Sequence, residues 1–158
     1  MSARPKYQRP QQRPVDELSP DAYQLLAEFR FVLAQFLSFS AKAARSAGLA
    51  PRQHQALLAI KGSRGGSHMT VGDLAHRLGI RDHSAVGLVN RLVDGGYLVR
   101  RTDMDDKRRA LLFLTPRGEK VLAGLSATHR EELRRIAPLL KPLLSQLGSP
   151  DPTVTRSE

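Results

Sequence analysis

Residues 70–115, TVGDLAHRLGIRDHSAVGLVNRLVDGGYLVRRTDMDDKRRALLFLT, constrain the fold more than any other stretch of the chain. Thr70 followed by Asp73 forms a capping box built on the shorter carboxylate, so a helix begins there, with Leu74, Ala75 and Leu78 as its buried face. Gly79 ends it. A second helix runs from about Asp82 to Asp94, with Ala85, Leu88, Val89 and Leu92 turned inward and Gly95-Gly96 closing it. YLVR and ALLFL are then short β-prone runs, and the connection between them, TDMDDKRR, is too polar to be buried. They make a hairpin with charge concentrated at its tip.

Long helices are predicted on both sides of this unit. Ser19-Pro20-Asp21 supplies a hydroxyl cap, a proline at the first helical position and a carboxylate at the positive end of the dipole. Ala22, Leu25, Phe29, Val32, Phe36, Phe39 and Ala43 then recur at three- and four-residue spacing, with Leu26, Leu33 and Leu37 as a second stripe beside them. Such a helix needs cover on two sides. Gly48 ends it, and Pro51 opens a second helix, PRQHQALLAIKG, whose Leu57, Leu58 and Ile60 are expected in the core. GSRGGSHM reads as a loop. After the hairpin, Thr115-Pro116 repeats the cap-plus-proline start of a helix carrying Leu122, Leu125, His129, Leu133 and Ile136 on one side. Pro138 and Pro142 are expected to break or kink it, leaving a leucine-rich terminal helix. The first 18 residues, rich in Pro, Gln and Arg, and the last eleven read as flexible tails.

Two short helices with a glycine turn, followed directly by a charged hairpin, have the layout of a winged helix-turn-helix. The run from Thr70 to Gly118 resembles the MarR family of bacterial transcriptional regulators, and the likeness extends more weakly over residues 19–148. The wing carries its most specific part. A family-like D-P-x-D-R-R reads here as Asp103-Met104-Asp105-Asp106-Lys107-Arg108, followed by Leu114-Thr115-Pro116-Arg117-Gly118. The resemblance implies a mainly α fold with a small β-hairpin wing. Its winged helix-turn-helix core spans about residues 50–116, dimerisation helices flank it at 19–47 and 116–147, and tails lie at 1–18 and 148–158. It also implies a homodimer on double-stranded DNA with a pseudopalindromic operator. Arg81, His83, Ser84, Val86, Gly87, Asn90 and Arg91 would then face the major groove, while Asp106, Lys107, Arg108 and Arg109 form the wing contact. Physical chemistry agrees with the wing assignment. An arginine at a hairpin tip gains electrostatic energy in a minor groove, and Asp106, two residues before Arg108, can limit its rotamers. Asp103 is placed to hold another basic residue. Gly87 stands where many relatives carry a longer polar or basic residue.

The net charge of +10 suits a polyanionic partner. The absence of cysteine removes disulfides, thiol catalysis and the usual ligands of structural zinc. Its five histidines include no i, i+4 pair on one helix, so no metal site is expected. No glycine-rich phosphate cradle, nucleophile motif or catalytic carboxylate pair is present, so neither an enzyme nor a cofactor is expected. With no apolar run of membrane-spanning length and no apolar secretory core at the N-terminus, the chain is expected in the cytoplasm, at the nucleoid. The resemblance further implies a repressor released by a small anionic aromatic effector. That effector would bind in a cleft between the dimerisation helices and the DNA-binding lobe, walled by Phe36, Phe39 and Phe29 with His54 nearby. Two alternatives stand beside it: a winged-helix module that docks an acidic protein, and an architectural DNA binder with no effector.

Overall fold

The computed structural model describes residues 19–63 and 68–148. The expected tails, Gly148 aside, and residues 64–67 of the expected loop lie outside the described residues. The elements in order are α1 (Pro20–Ser46), α2 (Pro51–Lys61), α3 (Val71–Leu78), α4 (Asp82–Asp94), β1 (Leu98–Thr102), β2 (Ala110–Leu114) and α5 (Pro116–Leu147). The fold is mainly helical with one two-stranded antiparallel hairpin.

Local chemistry sets most of these boundaries. The Ser19 hydroxyl accepts from the Ala22 N–H at 3.2 Å, and Thr115 accepts from the Gly118 N–H at 3.0 Å, each just ahead of a proline at the first helical position. Thr70 and Asp73 close a reciprocal capping box: the Thr70 hydroxyl accepts from the Asp73 N–H, and the Asp73 carboxylate accepts from the Thr70 N–H, both at 3.1 Å. Gly79 ends α3 at φ 63°, a left-handed conformation that costs glycine nothing.

One apolar cluster joins α2, α3, α4, the hairpin and the first half of α5. Leu57, Leu74, Val89, Leu92, Leu98 and Leu112 are its most enclosed members, together with Leu49, Ile60, Leu88, Leu122 and Leu125. The hairpin pairs Leu98 with Leu114 and continues through Arg100 with Leu112 to Thr102 with Ala110. The segment before α3 adds to its far edge, where the Leu112 N–H donates to the Met69 carbonyl at 2.8 Å and Thr70 bridges Leu111. The long helices α1 and α5 pack along each other.

Two expectations are corrected. Leu58 is half exposed rather than in the core. Helix α2 turns His54, Ala56, Leu57 and Ile60 inward, and Leu58, two residues from both Ala56 and Ile60, stands about 160° round the helix from each. Nor does α5 break: it runs unbroken through Pro138 and Pro142 to Leu147. Each proline withholds one N–H from the helix ladder, but both lie exposed, where solvent can serve the carbonyls left over.

Gly118 is buried beneath the Tyr97 carbonyl, which a methyl group at that position would overlap, whereas a methyl on Gly124 would meet nothing within 4 Å. Gly118→Ala should therefore destabilise the chain by about 1–3 kcal/mol. Gly124→Ala on the same helix should stabilise it by up to about 1 kcal/mol. Denaturant midpoints measure both, and shifts of the same sign would contradict this packing.

Candidate nucleic-acid interface

Four inward residues of α4, Ala85, Leu88, Val89 and Leu92, anchor the helix and leave its opposite face to solvent. Arg81, His83, Ser84, Val86, Asn90 and Arg91 are all exposed there, and Gly87 is half-buried. A Cβ on Gly87 would lie 3.6 Å from Nη1 of Arg91, an ordinary contact, so nothing inside the protein requires glycine at this position. The outward face is thus mixed in chemistry, with two arginines, an imidazole, an amide, a hydroxyl and one aliphatic side chain.

At the wing tip the acids hold the bases. Oδ1 of Asp106 accepts from the Arg108 backbone N–H at 3.1 Å and from its Nε at 3.2 Å. Nη1 of Arg109 lies 3.9 Å from Oδ2 of Asp103. Backbone bonds tighten the same loop: the Asp103 N–H donates to the Arg109 carbonyl and the Arg109 N–H to the Asp106 carbonyl, both at 2.9 Å. The Arg108 side chain is 92% exposed, so its ion pair contributes little to stability, and its physical effect is to direct a guanidinium outward. Met104, also 92% exposed, stands at the same tip.

Arg100 was not foreseen as a site residue. Its partner in the hairpin is Leu112, so it leaves the strand on the core-facing side, and Nη2 donates to Oδ1 of Asn90 at 2.6 Å. Strand alternation carried the signal, because Arg100 is two residues beyond inward-facing Leu98. The neighbouring Arg101 takes the other face and lies over the Phe113 ring at 4.8 Å.

Phe36, Phe39 and His54 are brought together, but around a ring. The imidazole of His129 lies 6.0 Å from Phe36, 5.8 Å from Phe39 and 4.7 Å from His54, centre to centre. The Leu125 carbonyl can only accept, so Nδ1 of His129 is the donor at 2.6 Å, and in the neutral ring Nε2 accepts from the Ser40 hydroxyl at 2.7 Å. A cavity of about 670 Å³ lies further along α1 and α5, between Ala43, Ala47, Tyr97, Arg117, Lys120 and Leu125. Another, of about 650 Å³, includes Phe39 with Glu131, Glu132 and Arg135. Among the described residues no His, Asp and Glu side chains gather as a metal site, and no helix is long and apolar enough to cross a membrane.

A helix pair closed by a left-handed glycine, with a charged hairpin docked beside its second member, defines a winged helix-turn-helix, the class that lays a helix in the major groove. Residues 47–109 match the MarR family model. The chain is 31% identical over 109 residues to the uncharacterized HTH-type transcriptional regulator YcgE of Bacillus subtilis (strain 168), covering 69% of this chain and 67% of that protein. It is 30% identical over 74 residues to YfiV of the same organism, also an uncharacterized HTH-type transcriptional regulator, covering 47% of this chain and 46% of the relative, so the match spans about half the length of YfiV. Among solved structures it is similar to an S. aureus MepR variant bound to an oligodeoxyribonucleotide, with a TM-score of 0.62 and 20% identity over 83% of this chain and 99% of that one. The chain belongs to the MarR family of transcriptional regulators, a DNA-binding family and not one of enzymes.

Burial first, and the neighbouring His129 second, hold the His54 pKa below its ordinary 6.5. The unfolded chain therefore takes up that proton before the folded one, and stability is lost as pH falls through about 6.5. His54→Gln should flatten the decline in melting temperature between about pH 7 and about pH 5.5. An equally steep decline in the variant would exclude His54 as its source.

Proposed function

We propose that this protein is a homodimeric, sequence-specific transcriptional repressor that binds a pseudopalindromic operator and is released by a small anionic aromatic ligand. The carrying observation is the wing: a fully projecting Arg108, braced by Asp106, on a hairpin packed against the same apolar cluster as α4. Held this way, the guanidinium suits a narrow minor groove while the outward face of α4 lies in the adjacent major groove. Arg81, His83, Ser84, Val86, Gly87, Asn90 and Arg91 are assigned to the major groove, with Val86 suited to thymine methyl groups and Arg91 to phosphate. Asp106, Lys107, Arg108 and Arg109 are assigned to the wing contact. That a MepR variant of the same fold was solved on an oligodeoxyribonucleotide supports this docking.

Exposed apolar surface supports the dimer. Among the described residues, most of the exposed large hydrophobic side chains lie on α1 and α5, including Tyr23, Leu26, Phe31, Leu37, Leu139 and Leu144. Apolar faces of this extent on two adjacent helices fit a two-fold partner. The domain plan is accordingly a winged lobe over about residues 50–116 and dimerisation helices at 19–47 and 116–147. Phe36, Phe39 and His54 lie where the dimerisation helices meet the lobe, so a ligand entering there must part them from His129. It releases DNA only by binding the parted arrangement more tightly than the DNA-bound one.

Mobility-shift titration of operator-like and random duplexes over a range of salt tests the proposal. The chain should favour one short inverted repeat, with affinity falling steeply as salt rises. Arg108→Ala should weaken binding to every duplex and flatten the salt slope by roughly 1. Unchanged affinity and slope would remove the wing from the mechanism.

A further inference from the structure

We propose that Asn90 and Arg100 form one donor clamp, spanning α4 and the wing, for a single phosphate of the bound duplex. The proposal rests on this face binding DNA. Nη2 of Arg100 reaches the Asn90 side chain at 2.6 Å, and both residues are exposed. A guanidinium can only donate, so the atom it meets is Oδ1 of Asn90, and the amide nitrogen with its two N–H groups is turned away from Arg100. An asparagine with both amide atoms available can pair with the N6 and N7 positions of adenine. With Oδ1 engaged by Arg100, the groups the pair turns outward are chiefly N–H donors. Its charge is also uncompensated within the pair, because the partner of Arg100 is a neutral amide, whereas Arg108 and Arg109 face carboxylates. Donors and a positive charge together fit a phosphodiester oxygen, which is anionic and only accepts.

The placement adds a mechanical consequence. Asn90 stands on the outward side of α4, while Arg100 leaves β1 on the face of buried Leu98 and Leu112. One phosphate held by both sets the angle between inserted helix and wing. Arg100 acts here as a positioning residue for the Asn90 amide and as a second donor.

The test uses the full chain and an operator selected by it from random duplexes, with phosphates replaced singly by neutral methylphosphonates. In each half-site one replacement should weaken the unaltered chain about tenfold yet weaken Asn90→Ala and Arg100→Ala by a clearly smaller factor, each having already lost one of the two donors. Arg108→Ala should remain sensitive at that phosphate. Asn90→Asp keeps an acceptor for Arg100 but turns a carboxylate toward the DNA, so neutralising that one phosphate should strengthen its binding rather than weaken it; a purely structural brace predicts no such reversal. If every replacement weakens Asn90→Ala and Arg100→Ala by the same factor as the unaltered chain, the clamp is wrong although DNA binding stands. If Asn90→Ala changes the selected base sequence without losing a phosphate effect, Asn90 reads a base and the clamp is again wrong. If the unaltered chain selects no duplex, the DNA-binding proposal itself fails, and the clamp with it.

Discussion

The contact on which the rest of the structure depends is the burial of Leu98 and Leu112 from the hairpin against the helical core. Both are 1% exposed and share a cluster with Leu57, Leu74 and Leu92. Full burial of a leucine contributes about 1.5–3 kcal/mol, whereas an exposed ion pair such as Asp106 with Arg108 contributes little. The wing is therefore positioned by apolar contact at its base and aimed by electrostatics at its tip. Beyond Leu98 and Leu112 the register brings Arg100, Thr102 and Ala110 to the same side, and all three are exposed. The outer half of the hairpin has nothing left to bury, so it overhangs the core and presents its charge.

The helical framework was legible because its signals are local. Ser19, Thr70 and Thr115 accept from backbone N–H groups within the first helical turn, and Gly79 takes the left-handed conformation its place after α3 implies. The four inward residues of α4 follow from period alone. The Asp106 to Arg108 contact could be read for the same reason, since two residues of separation leave little choice of geometry.

What was not legible depends on partners distant in sequence. Leu57 and Leu58 are equally apolar, and only the placement of α2 against α3 and β2 decides which is enclosed. His129 was read as one more member of a helical stripe, yet it binds Ser40, 89 residues away, and stacks near His54. Arg100 sits in the YLVR run with no role that the sequence assigns, and only the folded chain sets it against Asn90. The prolines of α5 misled in the other direction, because the cost of a missing N–H depends on whether solvent reaches the abandoned carbonyl.

Two surfaces then remain after the single chain has folded: the basic face of α4 and the wing, and the apolar faces of α1 and α5. In the proposed dimer the second surface brings two copies of the first onto one duplex, and the His54 to His129 cluster lies on the path between them. The most direct measurement of this account is the mass of the complex on an operator duplex, by sedimentation equilibrium or mass photometry. Two 17.5 kDa chains per duplex are predicted, with no stable complex holding one. A saturated complex containing a single chain would contradict it.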